Sequence, residues 1–174
     1  MGLAVPVDQS DHVIGARPAK VTVVEYGDFE CPSCAQAYPA VKIMLEHFGG
    51  SVCFAFRHFP QREVHHHAEL AAEAAEAAGA QDKFWQMHDL LFENQLHLKA
   101  HSLRQYAAKL ELDLERYDYE MKDHVYLQRV QQHLASGNRS GVRSTPAFFV
   151  NGVLRDVSFG YEHLHTAIEA ALRA

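Results

Sequence analysis

The sequence predicts an α/β fold in which a β-α-β unit opens the chain, a β-β-α unit closes it, and helices are inserted between them. Three observations lead to this fold. Apolar, β-branched runs at 21–26 and 52–56 are typical of buried strands. An alanine-rich stretch with helical spacing runs from about 64 to 138. The pair Asn151-Gly152, between two short apolar runs, is the strongest short hairpin signal.

The elements follow one another in a clear order. The first strand leads through a turn at 27–30 into a helical pattern that ends at Gly49-Gly50. After the second strand, Pro60 disfavours a helical continuation. In the last part of the chain, the residue pattern predicts strands at 146–150 and 153–154 and a helix at 161–172. We therefore expect a core formed by 12–63 and 139–174, with an inserted helical subdomain at 64–138.

Composition and charge narrow the class of protein. A chain of 174 residues is within the usual range for one domain. Its formal net charge of -6 argues against nucleic acid or an anionic membrane as partner. No apolar run approaches the roughly 18 residues of a membrane span, and the first residues do not resemble a secretory signal. The sequence as given predicts a cytoplasmic protein, and a periplasmic or other extracytoplasmic location is the alternative if an export signal once preceded it.

The motif Cys31-Pro32-Ser33-Cys34 carries the predicted chemistry. In a helix, residues three apart have Cα atoms about 5 Å from each other, within the disulfide window of roughly 4.4 to 6.8 Å. A bare CxxC could equally be half of a zinc site. A strand, a tight turn and a CxxC that opens a helix together predict a thioredoxin-like redox site.

The position of the motif assigns a role to each cysteine. If Cys31 is the N-cap and Pro32 the first helical residue, the Cys31 sulfur faces amides at the helix start. Those donors and the helix dipole stabilise a thiolate, which is the attacking form. Cys31 is therefore the predicted nucleophile. Cys34, one turn deeper, is predicted to resolve the mixed disulfide.

Three segments resemble the DsbA-like thiol-disulfide oxidoreductases: EYGDFECPSC at 25–34, FRHFP at 56–60 and STPAFFVNG at 144–152. The resemblance runs from about Asp11 to the end. It implies a helical lid over a thioredoxin core and a cis bond between Thr145 and Pro146 that faces the CxxC. It also implies that Glu25 is a buried acid that exchanges a proton with the resolving cysteine, a task suited to a carboxyl group whose pKa is raised by burial.

The same resemblance implies the partners. Substrates would be polypeptides that contain cysteine, paired as an added strand with the backbone of Thr145. A separate redox partner, not identified by the sequence, would recycle the enzyme, and no cofactor or metal is expected.

The strength of the redox couple is also predicted. Pro32-Ser33 stands where the strong oxidases carry proline and histidine. Asp28 and Glu30 place negative charge beside Cys31, which opposes thiolate formation. We expect a weaker oxidant than the strong periplasmic oxidases, whose potential is about -120 mV against about -270 mV for thioredoxin.

Three alternatives stay open on sequence grounds. Oxidase, reductase and isomerase activity are not distinguished. A non-redox binding module with the same fold is the rival from a different class. A glutathione-dependent isomerase or transferase is the third possibility, and Cys34 argues against it because such proteins generally lack the second cysteine.

Other polar and sulfur-containing residues receive structural interpretations. Cys53 lies in an apolar run and is expected to be a buried apolar side chain. His65, His66 and His67 are expected to be a cluster at a helix start that serves only solvation and local hydrogen bonds. A metal site is not expected there, because adjacent helical residues point about 100° apart. His65 could pair with Glu69. The pattern places Glu69, Glu73 and Glu76 on one solvated side of the alanine-rich helix, and His58 is expected to be structural.

Overall fold

A computed structural model describes residues 2–158 and 160–174, and it confirms the predicted α/β fold with inserted helices. The described strands are β1 (Val13–Ile14), β2 (Val21–Gly27), β3 (Val52–His58), β4 (Ala147–Val150) and β5 (Val153–Arg155). The described helices are α1 (Pro32–Phe48), α2 (Ala68–Gly79), α3 (Phe84–Glu93), α4 (Ala100–Lys109), α5 (Leu114–Lys122), α6 (Leu127–Arg139) and α7 (Glu162–Arg173). None of these helices has the length and apolar character needed to cross a lipid bilayer.

The strands form one sheet in the order β1-β3-β2-β4-β5. Strand β4 pairs antiparallel with both β2 and β5, and Glu25 lies opposite Phe148 in this register. The three inner strands are almost entirely buried, including Cys53, which agrees with its prediction as a buried apolar side chain. Burial on both faces explains why these strands read as continuous apolar runs rather than as alternating ones.

Backbone conformations explain two sharp changes of direction. Asn151 and Gly152 both have positive φ, 46° and 79°, as a tight hairpin turn between β4 and β5 requires. Gly49 also has positive φ, 52°, where α1 ends. The predicted hairpin and the predicted helix end are therefore both present.

The first residues of the chain lie along the outer strand β5. Gly2 forms a bridge with Val153, and the Leu3 amide donates to the Gly152 carbonyl at 2.8 Å. The Ala4 amide donates to the Ser140 hydroxyl at 3.0 Å. This segment, together with the two-residue strand β1 that pairs with β3, is not predicted by the sequence because so few residues show no periodicity.

The described chain forms two compact units. One combines the chain up to Gly27 with Gln36–Arg57 and Ala135–Ala174, and it holds the sheet. The other combines Asp28–Ala35 with His58–Leu134, and it holds the CxxC motif and helices α2 to α5. In this second unit α2 packs against α3, α4 and α5. The division predicted from sequence, 12–63 with 139–174 around 64–138, stays a prediction.

The prediction that three glutamates lie on a solvated face of α2 is wrong for two of them. Glu73 and Glu76 are buried, because α2 is covered by three other helices and its alanines let them approach closely. Burial raises the pKa of Glu73 although His124 donates to its carboxylate at 3.0 Å. Only Glu69 keeps a partly exposed position, where it pairs with Arg62 at 3.0 Å.

Glu76 belongs to a buried polar cluster with two histidines. Its carboxylate lies 2.7 Å from Nε2 of His58. Nδ1 of His133 accepts a hydrogen bond from the His58 amide at 3.2 Å, and the two imidazole rings stack with centroids 5.3 Å apart. His58 is therefore a hydrogen-bonded core residue, in agreement with its structural interpretation.

Arg57 holds the sheet unit together through a buried ion pair. Its guanidinium donates to both carboxylate oxygens of Asp11 at 2.8 Å and also to the carbonyls of Val5 and Pro6. A fifth bond goes to the Tyr26 hydroxyl at 3.1 Å. Arg57 and Asp11 are both almost fully buried, so neither charge can be solvated by water if the other is removed.

We expect Asp11→Ala to lower the free energy of unfolding by about 3–5 kcal/mol, because it leaves the buried guanidinium of Arg57 without its counter-charge. Urea unfolding measures this loss. The matched control is Arg104→Gln, which breaks an exposed ion pair with Asp118 and should change the unfolding midpoint very little. Equal losses in the two variants would contradict the role assigned to Arg57.

Candidate active site

Cys31 lies directly before α1, at the N-cap, as the sequence predicts. The helix begins at Pro32, and the Cys31 carbonyl accepts hydrogen bonds from the amides of Cys34 and Ala35, each at 3.1 Å. Proline is favoured at the first helical position because its missing N–H would have no partner there in any case. The local sequence thus fixes where the helix starts.

The two cysteines differ in exposure. Cys34 is completely buried, and Cys31 is 6% exposed. Pro32 and Ser33, between them, are exposed. The Asp28 amide donates to the Cys34 sulfur at 3.5 Å. Cys31 is therefore the cysteine nearer to solvent, which is the arrangement needed for an attacking thiol and a shielded resolving thiol.

Gln95 supports the turn that precedes the helix. Its side-chain amide donates to the carbonyls of Phe29 and Cys31, at 3.0 and 2.8 Å. Phe29 itself is buried against the ring of Phe92, with centroids 4.9 Å apart. Sequence reasoning missed Gln95, because a single glutamine between two helices carries no motif that links it to residues more than sixty positions away.

Asp28 is held by the segment that leads into α2. Its carboxylate accepts from the Gln61 amide at 2.9 Å and pairs with Nδ1 of His65 at 2.8 Å. It also accepts from the Glu30 amide at 2.8 Å. The predicted pairing of His65 with Glu69 is therefore wrong: His65 lies before α2, which begins at Ala68, and so has no helical spacing to Glu69.

Glu30 is held in the same way by His67. Both the amide and Nδ1 of His67 contact its carboxylate, at 2.7 and 2.9 Å. Burial alone would raise the pKa of Glu30, but the hydrogen bonds and charge of His67 outweigh it and keep that pKa below its usual range. Both acids next to Cys31 thus have imidazole partners, which reduces the unfavourable charge expected from the sequence alone.

The remaining predicted site residues lie in the sheet unit. Glu25 is 3% exposed in the middle of β2. Thr145 is buried two residues before β4, and the Thr145–Pro146 peptide bond is cis. A Cβ atom on Gly27 would lie 2.4 Å from the Phe56 ring and 3.3 Å from a Glu25 carboxylate oxygen, so this strand end has no room for a side chain. The roles of Glu25, Thr145 and Pro146 toward the cysteines stay predictions.

Comparison with known proteins places the chain in a family. A family model described as thioredoxin matches residues 8–170, and the chain belongs to this family. A chain named Na(+)/H(+) antiporter NhaA 1, from Salinispora arenicola, is 47% identical over 170 residues. The match covers 97% of this chain and 26% of that relative, so the chain spans about a quarter of the length of the curated relatives it matches.

Solved structures agree with the family. Oxidised BdbD from Bacillus subtilis has a TM-score of 0.85 and 24% identity, with 94% of each chain covered. A thioredoxin-like oxidoreductase from Silicibacter pomeroyi has a TM-score of 0.84 and 26% identity, with 96% of this chain and 95% of that chain covered. The structural neighbours are DsbA-like thioredoxin-fold oxidoreductases, which confirms the predicted resemblance.

The pairing of Glu30 with His67 predicts a pH dependence. A carboxyl group whose pKa is lower in the folded state adds stability above its ordinary pKa, and this stability is lost as the pH falls through the folded value. We therefore expect the contribution of Glu30 to disappear below about pH 4.5. His67→Ala removes the imidazole hydrogen bond and charge, while the backbone amide at position 67 and His65 still act on Glu30. The pKa of Glu30 should therefore rise from its wild-type folded value, and the stability lost in this range should shrink.

Urea unfolding between about pH 6 and about pH 3 measures this difference. The matched control is His66→Ala, which removes the exposed neighbouring imidazole. This variant should lose as much stability at low pH as the wild type does. The same pH dependence in wild type and His67→Ala would contradict the role of this pair.

Proposed function

We propose that the protein is a thiol-disulfide oxidoreductase that exchanges disulfides with cysteine-containing polypeptides through Cys31 and Cys34. The observation that carries the proposal is the position of Cys31 at the N-cap of α1, with Cys34 fully buried one turn further on. Membership of the thioredoxin family and likeness to DsbA-like oxidoreductases support it.

The exchange proceeds in two steps when a substrate is reduced. The Cys31 thiolate attacks one sulfur of a substrate disulfide, the substrate S–S bond breaks, and one substrate sulfur leaves as a thiolate. Cys34 then loses its proton and attacks the Cys31 sulfur. This second attack breaks the mixed disulfide, releases the other substrate thiolate and leaves Cys31 and Cys34 joined. Oxidation of a substrate is the same sequence in reverse.

Glu25, Thr145 and Pro146 complete the proposed machinery. Glu25 would accept the proton that Cys34 loses, because a buried carboxyl group can hold a proton near neutral pH. The backbone of Thr145, before Pro146, would pair with an extended substrate as an added strand. Strand pairing uses main-chain groups, so the substrate class is any polypeptide with an accessible cysteine or disulfide rather than one fixed sequence.

The partners and compartment follow from the same proposal. A separate redox protein would recycle the Cys31–Cys34 pair after each turnover. The DsbA-like neighbours favour the extracytoplasmic alternative over the cytoplasmic location first expected from the sequence. Disulfides persist in oxidising compartments, where such an exchange would serve oxidative folding.

The antiporter relatives favour a second candidate, a module that binds rather than turns over its partner. In those relatives the matched region is about a quarter of a chain named for sodium and proton exchange. A thioredoxin-fold domain in such a chain could recruit a protein through the same surface without redox chemistry. Cysteine-dependent turnover distinguishes this candidate from the oxidoreductase.

We expect Cys31→Ser to lower the rate of insulin reduction by roughly a hundredfold or more, because the attacking thiolate is lost. Cys34→Ser should instead accumulate a mixed disulfide with substrate, seen by mass spectrometry and removed by dithiothreitol. The matched control is Cys53→Ser, which should keep wild-type turnover because Cys53 is buried in β3. Insulin reduction at the uncatalysed background rate in both the wild type and Cys31→Ser would favour the binding module.

A glutathione-redox titration tests the predicted oxidant strength. We expect a potential more negative than about -120 mV in the wild type. Glu30→Gln removes negative charge beside Cys31, so it should stabilise the thiolate and raise the potential by about 10–30 mV, since one pKa unit corresponds to about 30 mV.

The control for this titration is Glu46→Gln, which removes the same charge from an exposed position near the other end of α1. It should leave the potential almost unchanged. A more negative potential in Glu30→Gln, or a wild-type value as oxidising as that of the strong oxidases, would refute the charge argument.

A further inference from the structure

Two histidines and a glutamate converge on the surface of the sheet unit, where the end of α1 meets α7. The residues are His47, His165 and Glu169. Each offers one ligand atom, and these atoms all lie within 4.8 Å of one another. His165 and Glu169 are one turn apart on α7, with 3.8 Å between Nδ1 and Oε1.

We propose that His47, His165 and Glu169 form a binding site for a divalent transition metal ion, of which Zn²⁺ is the representative. Zinc is bound in proteins by imidazole nitrogen and carboxylate oxygen at about 2.0–2.2 Å. Tetrahedral geometry then places ligand atoms about 3.3 Å from one another. The observed atoms lie within 4.8 Å of one another, so metal binding would require them to move closer together.

An aromatic neighbour holds the two imidazole rings in place. The ring of Phe48 lies 4.9 Å from that of His47 and 4.8 Å from that of His165, centroid to centroid. The two histidine rings are 5.0 Å apart. Ligands fixed by packing lose little side-chain freedom on binding, which favours a metal over solvent.

The site is accessible and keeps one coordination position open. His47 is exposed, and His165 and Glu169 are half-buried, so an ion enters from solvent without opening the core. Both histidines also line an apolar groove of about 340 Å³, together with Met44 and Tyr161. Three protein ligands with an open fourth position can accept water or a donor atom from a molecule in the groove.

The neighbouring cation does not block the site. Arg173 lies 3.7 Å from the second carboxylate oxygen of Glu169, Oε2, and is itself largely exposed. An exposed ion pair of this length contributes little free energy, so it does not hold the carboxylate away from a metal ion. Oε1, which faces His165, remains the oxygen available to the metal.

The described residues contain one other such cluster, formed by His58, Glu76 and His133. It is the weaker candidate because its atoms already bond to one another: His58 Nε2 lies 2.7 Å from Glu76, and His133 Nδ1 accepts from the His58 amide. All three side chains are also buried, so a metal would have to displace these bonds inside the core.

Calorimetric titration of Zn²⁺ into the Cys31→Ser/Cys34→Ser protein tests the proposal, since that background removes the thiolates that would bind zinc themselves. We expect one Zn²⁺ per chain. At a hundredfold excess over the dissociation constant, the melting temperature should rise by roughly 5–10 °C. His165→Ala and Glu169→Gln should each weaken binding about tenfold or more.

The matched control is His163→Ala, which removes an exposed histidine of α7 outside the cluster and should leave affinity within about twofold. Absence of zinc binding overturns the proposal. So does binding that survives both His165→Ala and Glu169→Gln, and so does binding that is lost in a folded His133→Gln variant but kept in His165→Ala.

Discussion

The carbonyl oxygen of Cys31 is the point on which the geometry of the site depends. It accepts the first hydrogen bonds of α1, and it also accepts the side-chain amide of Gln95. The same donor holds the Phe29 carbonyl, so one side chain fixes both the last turn before the helix and the helix start. The CxxC motif belongs to the same compact unit as Gln95 and helices α2 to α5. The backbone at the start of α1 is thus held in part by a residue far from it in sequence.

The two acids beside Cys31 have a structural use that their charge alone does not suggest. Asp28 and Glu30 each bind a histidine of the segment that leads into α2, together with a backbone amide of that segment. Through these hydrogen bonds the two acids connect the turn before α1 to the segment before α2. Both carboxylates also place negative charge beside Cys31, and their imidazole partners reduce the effect of that charge. The same two side chains therefore connect these segments and determine the charge beside Cys31.

The sequence predicts features that depend on local periodicity and fails for features that depend on distant contacts. Buried runs, the Asn151-Gly152 hairpin and the N-cap position of Cys31 follow from neighbouring residues, and the structure contains them. The burial of Glu76 does not follow, because helical spacing shows which residues share a face but not how many helices cover it. Likewise, no local pattern indicates that His65 contacts Asp28, thirty-seven positions earlier.

The course of the first few residues affects how the sheet meets other chains. An outer strand presents unsatisfied N–H and C=O groups that can recruit a foreign strand and begin aggregation. Here Gly2 and Leu3 occupy part of that edge at β5, and the opposite edge ends in β1, only two residues long. One edge of the sheet is therefore partly covered and the other is very short. Fewer unsatisfied N–H and C=O groups are then open to a foreign strand at these edges, which lowers the tendency of the sheet to begin aggregation.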